Sequence, residues 1–437
     1  MLGLAPELAE RWMPRGDLRR LVVVRALRSL VQGYVMVVFS IYLGQIGFPA
    51  WLIGLTLTIG GVASALLTLL TGVVSDRVGR RPFLLAYGFL LLLSGLVFSW
   101  VTLPWVLIAT SALGGLGRGG GGGGQAGPFA PAEQAMIAEK ATGETRTRVF
   151  TVNSVAGTLM AAVGALLAVV PEWLRGADHL SLVASYRPLY LGVAVVGLLS
   201  IVVLWPITED RREPRQRPRD EAGRARRRRN RQRISQIALA GAINGFGFGF
   251  LAGIVPYWLH VRYGVSPGAI GPVLSASSLL TAIASLVAVR LAARFGDVRL
   301  ITGSRALGVA LTLAIPFAPV YLLAAALYGA RMVSAMMAMP VRQSYTMGII
   351  EPETRGSAAG ISGVARRLPA SGSPSVTGYW MSVDALELPF IASAVCLAVN
   401  AGLYYWWFRG VRPDEHPVAA PATTHEESDL AEPAVHR

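Results

Sequence analysis

Residues 71–82 read TGVVSDRVGRRP, a short polar stretch between two long apolar runs. The runs, residues 51–70 and 83–101, each have about 20 residues, the length at which an α-helix crosses the hydrocarbon core of a bilayer. The stretch holds one acid, Asp76, and three arginines. Arginines in short loops stay on the cytoplasmic side of a membrane. The pattern therefore predicts two membrane-spanning helices joined by a short basic cytoplasmic loop.

The simpler interpretation of this stretch is a turn whose positive charge keeps it on the cytoplasmic side. Such a turn would need neither Gly72 nor Asp76. Gly72 allows a neighbouring helix to approach closely, as small residues do in membranes. Asp76 is suited to cap a helix N-terminus, where the helix dipole favours negative charge. The whole pattern resembles the loop 2–3 signature of the major facilitator superfamily of transporters. Its residues here are Gly72, Asp76, Arg77, Gly79, Arg80 and Arg81.

The resemblance implies an all-α integral membrane fold with twelve transmembrane helices in two six-helix bundles. It also implies transport by alternating access, in which the bundles rock about a central site. The loop residues would then form a gate. In the outward-open state, Asp76 would meet the start of span 11 near Arg355 and Gly356 and hold the cytoplasmic side shut.

The composition points to the same class of protein. Of 437 residues, 53% are hydrophobic and only 15% are charged, whereas soluble proteins have nearer a quarter charged. The net charge of +15 collects in loops, so its expected partner is the anionic inner leaflet rather than nucleic acid. The single cysteine, Cys396, excludes a disulfide framework and a cysteine metal site. We expect no cofactor and a monomeric protein.

Twelve apolar segments are expected to cross the membrane. Their approximate bounds are 21–44, 51–71, 83–103, 105–138, 148–170, 188–206, 234–259, 268–290, 300–318, 320–349, 356–380 and 387–408. Arginine concentrates in the loops at one end of these segments, which predicts a multi-pass protein of the plasma or inner membrane with both termini cytoplasmic. The first residues mix acids with arginines and do not read as a cleavable signal. Spans 4 and 10 carry Gly and Pro, so kinks are expected there.

The spans predict a simple division of the chain. We expect a cytoplasmic N-terminus (1–20), an N-terminal bundle (21–207), a basic cytoplasmic linker (208–233), a C-terminal bundle (234–410) and a disordered cytoplasmic tail (411–437). The tail is rich in Pro, Ala and Glu, a composition that favours disorder. The linker is interpreted as a solvated segment that fixes topology, and the alternative is an amphipathic segment that binds lipid.

The two halves of the chain repeat in sequence. Three sets match in the same order: Gln32-Gly33-Tyr34 with Asn244-Gly245-Phe246; Tyr42, Gly47, Ile53 and Gly54 with Tyr257, Gly264, Ile270 and Gly271; and Pro131, Gln134, Glu144, Thr145 and Arg146 with Pro340, Gln343, Glu353, Thr354 and Arg355. Parallel repeats of this kind build a midplane binding site between two rocking bundles. The second half has Ala293 where Asp76 falls in the first, so an acid-based gate is expected on one side only.

Ionisable residues at membrane depth are costly and are therefore candidates for function. Arg118 and Arg331 occupy equivalent places in spans 4 and 10. In span 1, Arg28 and Gln32 lie on one stripe of the helix, with Arg25 expected to reach back to the interface. The full set of cavity candidates is Arg28, Gln32, Arg118, Asn244, Arg331 and Arg366. The alternative is that these arginines reach the interface or pair with backbone carbonyls. Arg366 and Arg367 are adjacent, so both cannot face one cavity.

The glycine run that begins at Arg118 resembles the span 4 motif of proton-coupled members of the superfamily, with Gly121 where Gln is usual. The resemblance implies the proton as a coupling ion. The run lacks the Lys-Ser/Thr ending of a phosphate-binding loop, so ATP is not expected to drive transport.

No Asp or Glu falls in the middle of a predicted span. Glu133 is expected near the cytoplasmic end of span 4, where it would pair with Arg80 or Arg81. The Gly-Pro pair typical of drug–proton antiporters is missing from span 5. Cavity arginines without acids predict a secondary active transporter of a small anionic or neutral molecule. Two alternatives stay open: a multidrug–proton antiporter exporting lipophilic compounds, and a non-transporting receptor or scaffold with the same fold. An enzyme is not expected, since no histidine lies at mid-membrane.

Overall fold

The computed structural model describes residues 16–114, 129–140, 143–178, 180–208, 224–350 and 355–411. The regular structure in these ranges is helical. The first half contains α1 (Asp17–Gln45), α2 (Ala50–Val78), α3 (Arg81–Trp100), α4 (Pro104–Gly114), α5 (Phe129–Lys140), α6 (Gly143–Leu166), α7 (Val170–Asp178) and α8 (Leu182–Leu204). The second half contains α9 (Arg224–Gly249), α10 (Val255–Tyr263), α11 (Pro267–Phe295), α12 (Asp297–Ala314), α13 (Tyr321–Met337), α14 (Met339–Gly348), α15 (Arg355–Ser382) and α16 (Leu388–Phe408).

These helices make up twelve membrane-crossing segments, as predicted. By length and composition, nine segments of the described chain are apolar enough to cross a membrane. The remaining three are the α4–α5 pair, the α9–α10 pair and α15. The last of these carries two internal prolines and two adjacent arginines. A helix this polar crosses a bilayer when its surface is covered by other helices, and α15 packs against both α2 and α9.

The internal repeat of the sequence is a repeat of helix packing. Within the first bundle (α1–α8, the N-bundle), α1 packs along α6 and α3 along α8. Within the second (α9–α16, the C-bundle), α9 packs along α15 and α12 along α16. The matched glycines lie at equivalent crossings. A Cβ on Gly33 would overlap the carbonyl oxygen of Ala161, and one on Gly245 would overlap that of Arg366. Both crossings therefore need a residue without a side chain.

Breaks interrupt two of the long segments. The tenth segment divides at Ala338 into α13 and α14, with Pro340 at the start of α14, because proline removes a helical hydrogen bond. This confirms the kink predicted for span 10. The seventh segment divides between Gly249 and Val255, where Gly253 has a φ of 74°. That break was not predicted. The segment also begins earlier than expected, at Arg224, so residues 224–233 of the predicted linker are helical.

The bundles meet at one end and separate at the other. We call the end that carries residues 16 and 411 the termini side. Away from it, α2 packs on α15 and α6 on α11. A Cβ on Gly54 would overlap the carbonyl oxygen of Pro374, and one on Gly271 would overlap that of Ala165. These two glycines are partners in the repeat, so the two contacts between the bundles are related by the same pseudo-symmetry.

Buried apolar side chains show the same division. Away from the termini side, one cluster joins both bundles and includes Tyr42, Ile53 and Trp258. On the termini side, each bundle has its own cluster, with no member shared among the described residues. Oγ1 of Thr58 on α2 is hydrogen-bonded to the Ser375 hydroxyl of α15 at 2.7 Å. Leu69 follows Thr58 by eleven residues, so it lies on the same face of α2. This leucine is 39% exposed. The described contacts between the bundles therefore concentrate away from the termini side.

Candidate functional site

The loop between α2 and α3 holds the N-bundle together on the termini side. Gly79 has a φ of 106°, a conformation that favours glycine, and it turns the chain between the two helices. Nη1 of Arg80 donates to Oε2 of Glu139 at 2.6 Å and to a carbonyl oxygen of α5 at 3.0 Å. Arg81 donates to the carbonyl oxygen of Trp205 and lies 5.9 Å from its ring centroid. The loop arginines thus tie α3 to α5 and to the end of α8.

Other predicted gate residues are described less fully. Gly72, Asp76 and Arg77 lie in the last turns of α2, at positions where the structure describes no side chains. Arg118 lies outside the described residues. The gate between Asp76 and the start of α15 therefore stays a prediction.

A narrow cleft with a cavity volume of about 10 Å³, the space of about one water molecule, lies between the two bundles beside the break between α9 and α10. The residues that line it are Met36, Phe248, Leu251, Ala252, Gly253, Tyr328, Arg331 and Met332. Met36 comes from the N-bundle and the others from the C-bundle. Interrupted helices at the interface of two repeats are a common setting for a substrate site in transporters.

Arg331 supplies the charge of this cleft. It is 1% exposed, and its Nε donates to Oγ1 of Thr312 at 3.1 Å. Its guanidinium carbon lies 5.6 Å and 6.0 Å from the ring centroids of Phe248 and Tyr328, while Nη1 contacts the sulfur of Met332 at 3.9 Å. Nη2 is buried and has no hydrogen-bond partner in the structure. Among the described residues, no carboxylate forms an ion pair with this arginine.

A second charged group lies inside the N-bundle, nearer the termini side. Glu133 of α5 is 1% exposed. Its Oε1 accepts a hydrogen bond from Nδ2 of Asn153 at 2.6 Å, and its Oε2 lies 3.8 Å from Nη1 of Arg25. The guanidinium of Arg28 lies 4.0 Å from the ring centroid of Phe129. A buried acid therefore offsets the charge of the arginines of α1.

Two predictions about this group were wrong. Glu133 does not pair with Arg80 or Arg81, because Arg80 binds Glu139 instead. The two glutamates are six residues apart on α5, so their side chains point about 240° apart around the helix, one into the bundle and one toward the loop. Arg25 does not reach the interface: it is 4% exposed and faces Glu133.

A third charged group lies at a comparable depth in the C-bundle and contains only arginines. The guanidinium of Arg305 lies 4.7 Å from the ring centroid of Tyr404, and its Nη1 is buried without a hydrogen-bond partner. Arg342 of α14 is close enough to repel both Arg305 and Arg366 electrostatically. Within the described ranges, no acid is paired with any of the three.

The predicted cavity residues thus divide among three places. Arg331 lines the central cleft, Arg28 lies in the N-bundle group and Arg366 lies in the C-bundle group. Gln32 and Asn244 are half-buried and do not line the cleft. Sequence reasoning missed Arg342, although the repeat could have shown it: the spacing that relates Pro131 to Pro340 also relates Glu133 to Arg342.

A family model described as Major Facilitator Superfamily matches the chain twice, over residues 21–236 and 237–433. The chain belongs to the major facilitator superfamily. The two matches divide within α9, so each covers one bundle. This confirms the fold class predicted from the loop signature, and membership of the superfamily makes the protein a membrane transporter by family.

Relatives of this superfamily member are distant. It is 22% identical over 432 residues to the uncharacterized membrane protein YJR124C of Saccharomyces cerevisiae, covering 92% of this chain and 96% of the relative. It is 23% identical over 397 residues to multidrug resistance protein MdtH of Edwardsiella ictaluri, covering 88% of this chain and 90% of that protein.

Solved structures share its fold. The nucleoside transporter NupG matches with a TM-score of 0.68 at 13% identity, covering 90% of this chain and all of that one. A bacterial homolog of the human lysosomal transporter Spinster, in an inward-facing and occupied conformation, matches with a TM-score of 0.67 at 16% identity over 90% of this chain and 96% of its own. The D-xylose–proton symporter matches with a TM-score of 0.63 at 17% identity, covering 89% and 98%.

Proposed function

We propose that this superfamily member is a secondary active transporter that carries a small anionic molecule by alternating access, with Arg331 binding the anion. The observation that carries the proposal is the position of this arginine. It lies buried in the cleft between the bundles, with a free guanidinium nitrogen and no acid paired with it among the described residues.

The chemistry follows from the cost of burying a charge. An ionised group away from water is unfavourable unless another charge or hydrogen bond compensates it. The aromatic rings of Phe248 and Tyr328 compensate part of this cost, since cation–π contacts contribute about 0.5–2 kcal/mol. A carboxylate or phosphate on a substrate would supply the rest through charge-assisted hydrogen bonds. A neutral solute with several hydroxyl groups would bind Nη2 more weakly.

The packing between the bundles supplies the transport step. Contacts at Gly54 and Gly271 close the space between the bundles away from the termini side, and we infer that it opens on the other side. With both termini cytoplasmic, as the loop arginines predict, this is an inward-open state of a multi-pass protein of the cell membrane. We include the proton as coupling ion and a monomer surrounded by anionic lipid in the proposal.

Export of lipophilic compounds, coupled to protons, is the second candidate. It is favoured by the similarity to MdtH, which is named for multidrug resistance. The lining of the cleft supports it too, because it includes Met36 and Met332 as well as aromatic rings, and methionine-rich surfaces adapt to varied apolar ligands.

A thermal-shift screen of the purified protein tests the two candidates. Small anions, zwitterions, neutral solutes and lipophilic cations are compared at matched ionic strength. A ligand at about 100 times its dissociation constant adds about 2.7 kcal/mol of stability. We expect an organic anion to stabilise the protein and Arg331→Gln to abolish the shift, while the matched control Arg290→Gln, at an exposed arginine of α11, keeps it. Uptake of that anion into proteoliposomes should be lost in the same variant. Stabilisation by lipophilic cations alone would exclude the anion and favour drug export.

A further inference from the structure

The C-bundle brings three arginines of three different helices to similar depths. Arg305 follows the start of α12 by eight residues, Arg342 precedes the end of α14 by six, and Arg366 follows the start of α15 by eleven. At 1.5 Å per residue these distances are about 12, 9 and 16 Å from the helix ends on the termini side. Arg331 is eleven residues from Arg342 along the same segment, about 16 Å deeper, so the cluster is separate from the central cleft.

The repeat shows what the cluster lacks. In the N-bundle, Glu133 and Asn153 are hydrogen-bonded to each other, and the carboxylate faces Arg25. Arg342 occupies the position of Glu133 in the second half, and Ser362 occupies that of Asn153. A negative charge in one repeat is thus replaced by a positive charge in the other. The arginines of the C-bundle repel one another, whereas in the N-bundle the carboxylate of Glu133 offsets part of the charge of Arg25 and Arg28.

Hydrogen-bond donors in the cluster are unused. Nη1 of Arg305 and Oγ of Ser362 are buried without partners in the structure. Ser362 lies one turn before Arg366 on the same face of α15. The guanidinium of Arg305 is held against the ring of Tyr404, which fixes its plane. Asp297 is the nearest described acid, close enough to act electrostatically on Tyr404, but it forms no ion pair with the three arginines. A fixed set of cationic donors without an ion-pair partner among the described residues is what a bound oxyanion requires.

We propose that Arg305, Arg342 and Arg366 form a second anion site, reached from the termini side, that binds a phosphate or sulfate group. The bound group takes the place that the carboxylate of Glu133 holds in the N-bundle. Its source is either a free inorganic or phosphorylated solute or the headgroup of an anionic lipid. Both present the same tetrahedral oxyanion, so the experiment separates them.

The sharpest test places the missing carboxylate in the C-bundle. Full-length protein is purified in detergent without lipid, and its unfolding temperature is measured in inorganic phosphate and in chloride at equal ionic strength. We expect phosphate to stabilise the wild type. In Arg342→Glu, we expect a higher unfolding temperature without phosphate and at least a tenfold weaker apparent affinity for it. Arg305→Gln should weaken phosphate binding in the same way. If Arg342→Glu folds poorly, this second variant still provides a measurement of phosphate affinity.

Lipid is tested in nanodiscs that contain phosphatidylcholine alone or mixed with phosphatidic acid. A headgroup site predicts that the acidic lipid stabilises the wild type but not Arg342→Glu, with little effect of free phosphate. Equal responses of wild type and both variants to phosphate and to acidic lipid would overturn the proposal. Arg290→Gln, at the exposed arginine of α11, is the control, and it should keep the phosphate effect. Were phosphate binding lost in Arg331→Gln and kept in Arg342→Glu, the ion would belong to the central cleft and the second site would be disproved, whatever the outcome for transport.

Discussion

The two bundles share a backbone design but differ in the charges they bury. Equivalent glycines, Gly33 and Gly245, let equivalent helices cross closely, and the contacts between the bundles repeat at Gly54 and Gly271. At a comparable depth, however, the N-bundle encloses an acid with its arginines, while the described part of the C-bundle encloses three arginines with no acid paired to them. Close packing constrains both repeats equally, because a side chain added at a helix crossing would overlap backbone atoms of the neighbouring helix. Charge is constrained less strictly, because one repeat offsets part of its buried positive charge with an internal acid, whereas we propose that the other does so with a bound anion.

Removing the acid of the N-bundle is the change that should most strongly affect this difference in buried charge between the bundles. Glu133→Gln leaves Arg25 and Arg28 buried without the negative charge that faces them. Breaking a buried ion pair by removing one partner costs about 3–5 kcal/mol. We expect a loss of this size in the free energy of unfolding, measured by thermal or denaturant unfolding in detergent. Glu139→Gln is the matched control on the same helix, since its partner Arg80 is partly exposed and exposed pairs contribute less than about 1 kcal/mol. Equal losses in the two variants would contradict the internal neutralisation of the N-bundle.

Substitutions of the glycines that the two repeats share test the helix packing that the bundles have in common. Gly54→Ala or Gly271→Ala adds a methyl group where the bundles touch in this state. Overpacking of this kind costs about 1–3 kcal/mol. Here it destabilises only the state that is closed away from the termini side. We expect Leu69→Cys, in a Cys396→Ser background, to react more slowly with a water-soluble maleimide when either alanine is present. Gly33→Ala, inside the N-bundle, should lower stability without changing the labelling rate. Unchanged labelling with all three would show that these contacts do not govern the opening.

The smallest expected effect concerns the loop in which the halves differ. Asp76 has no acidic counterpart in the second half, where Ala293 stands. Replacing Asp76 with Asn removes one charge interaction from the predicted gate. Single ion pairs in loops at a protein surface contribute about 1 kcal/mol or less, so we expect a shift of that size toward the inward-open state. Labelling of Leu69→Cys should accelerate in this variant. A rate equal to that of the parent protein would rule out Asp76 as a gate.

Much of this protein could be predicted from its sequence. The lengths of the apolar runs, the distribution of arginine and the loop signature predict the twelve spans, the superfamily and the repeat, because each depends on residues close together in the chain. The kink in span 10 is equally local, since Pro340 causes it wherever the helix lies.

Tertiary structure decided which charges meet. Whether Glu133 faces Arg80 or Arg25 depends on the rotation of α5 about its axis, which the packing of several helices sets together. Arg305 and Arg366 come from segments about sixty residues apart in the chain, and they share a group because α12 and α15 both pack against α16. The break after Gly249 places Phe248 beside Arg331 in the same way. Partner choice between buried charges depends on such distant contacts, whereas crossing a membrane depends only on the apolar length of each segment.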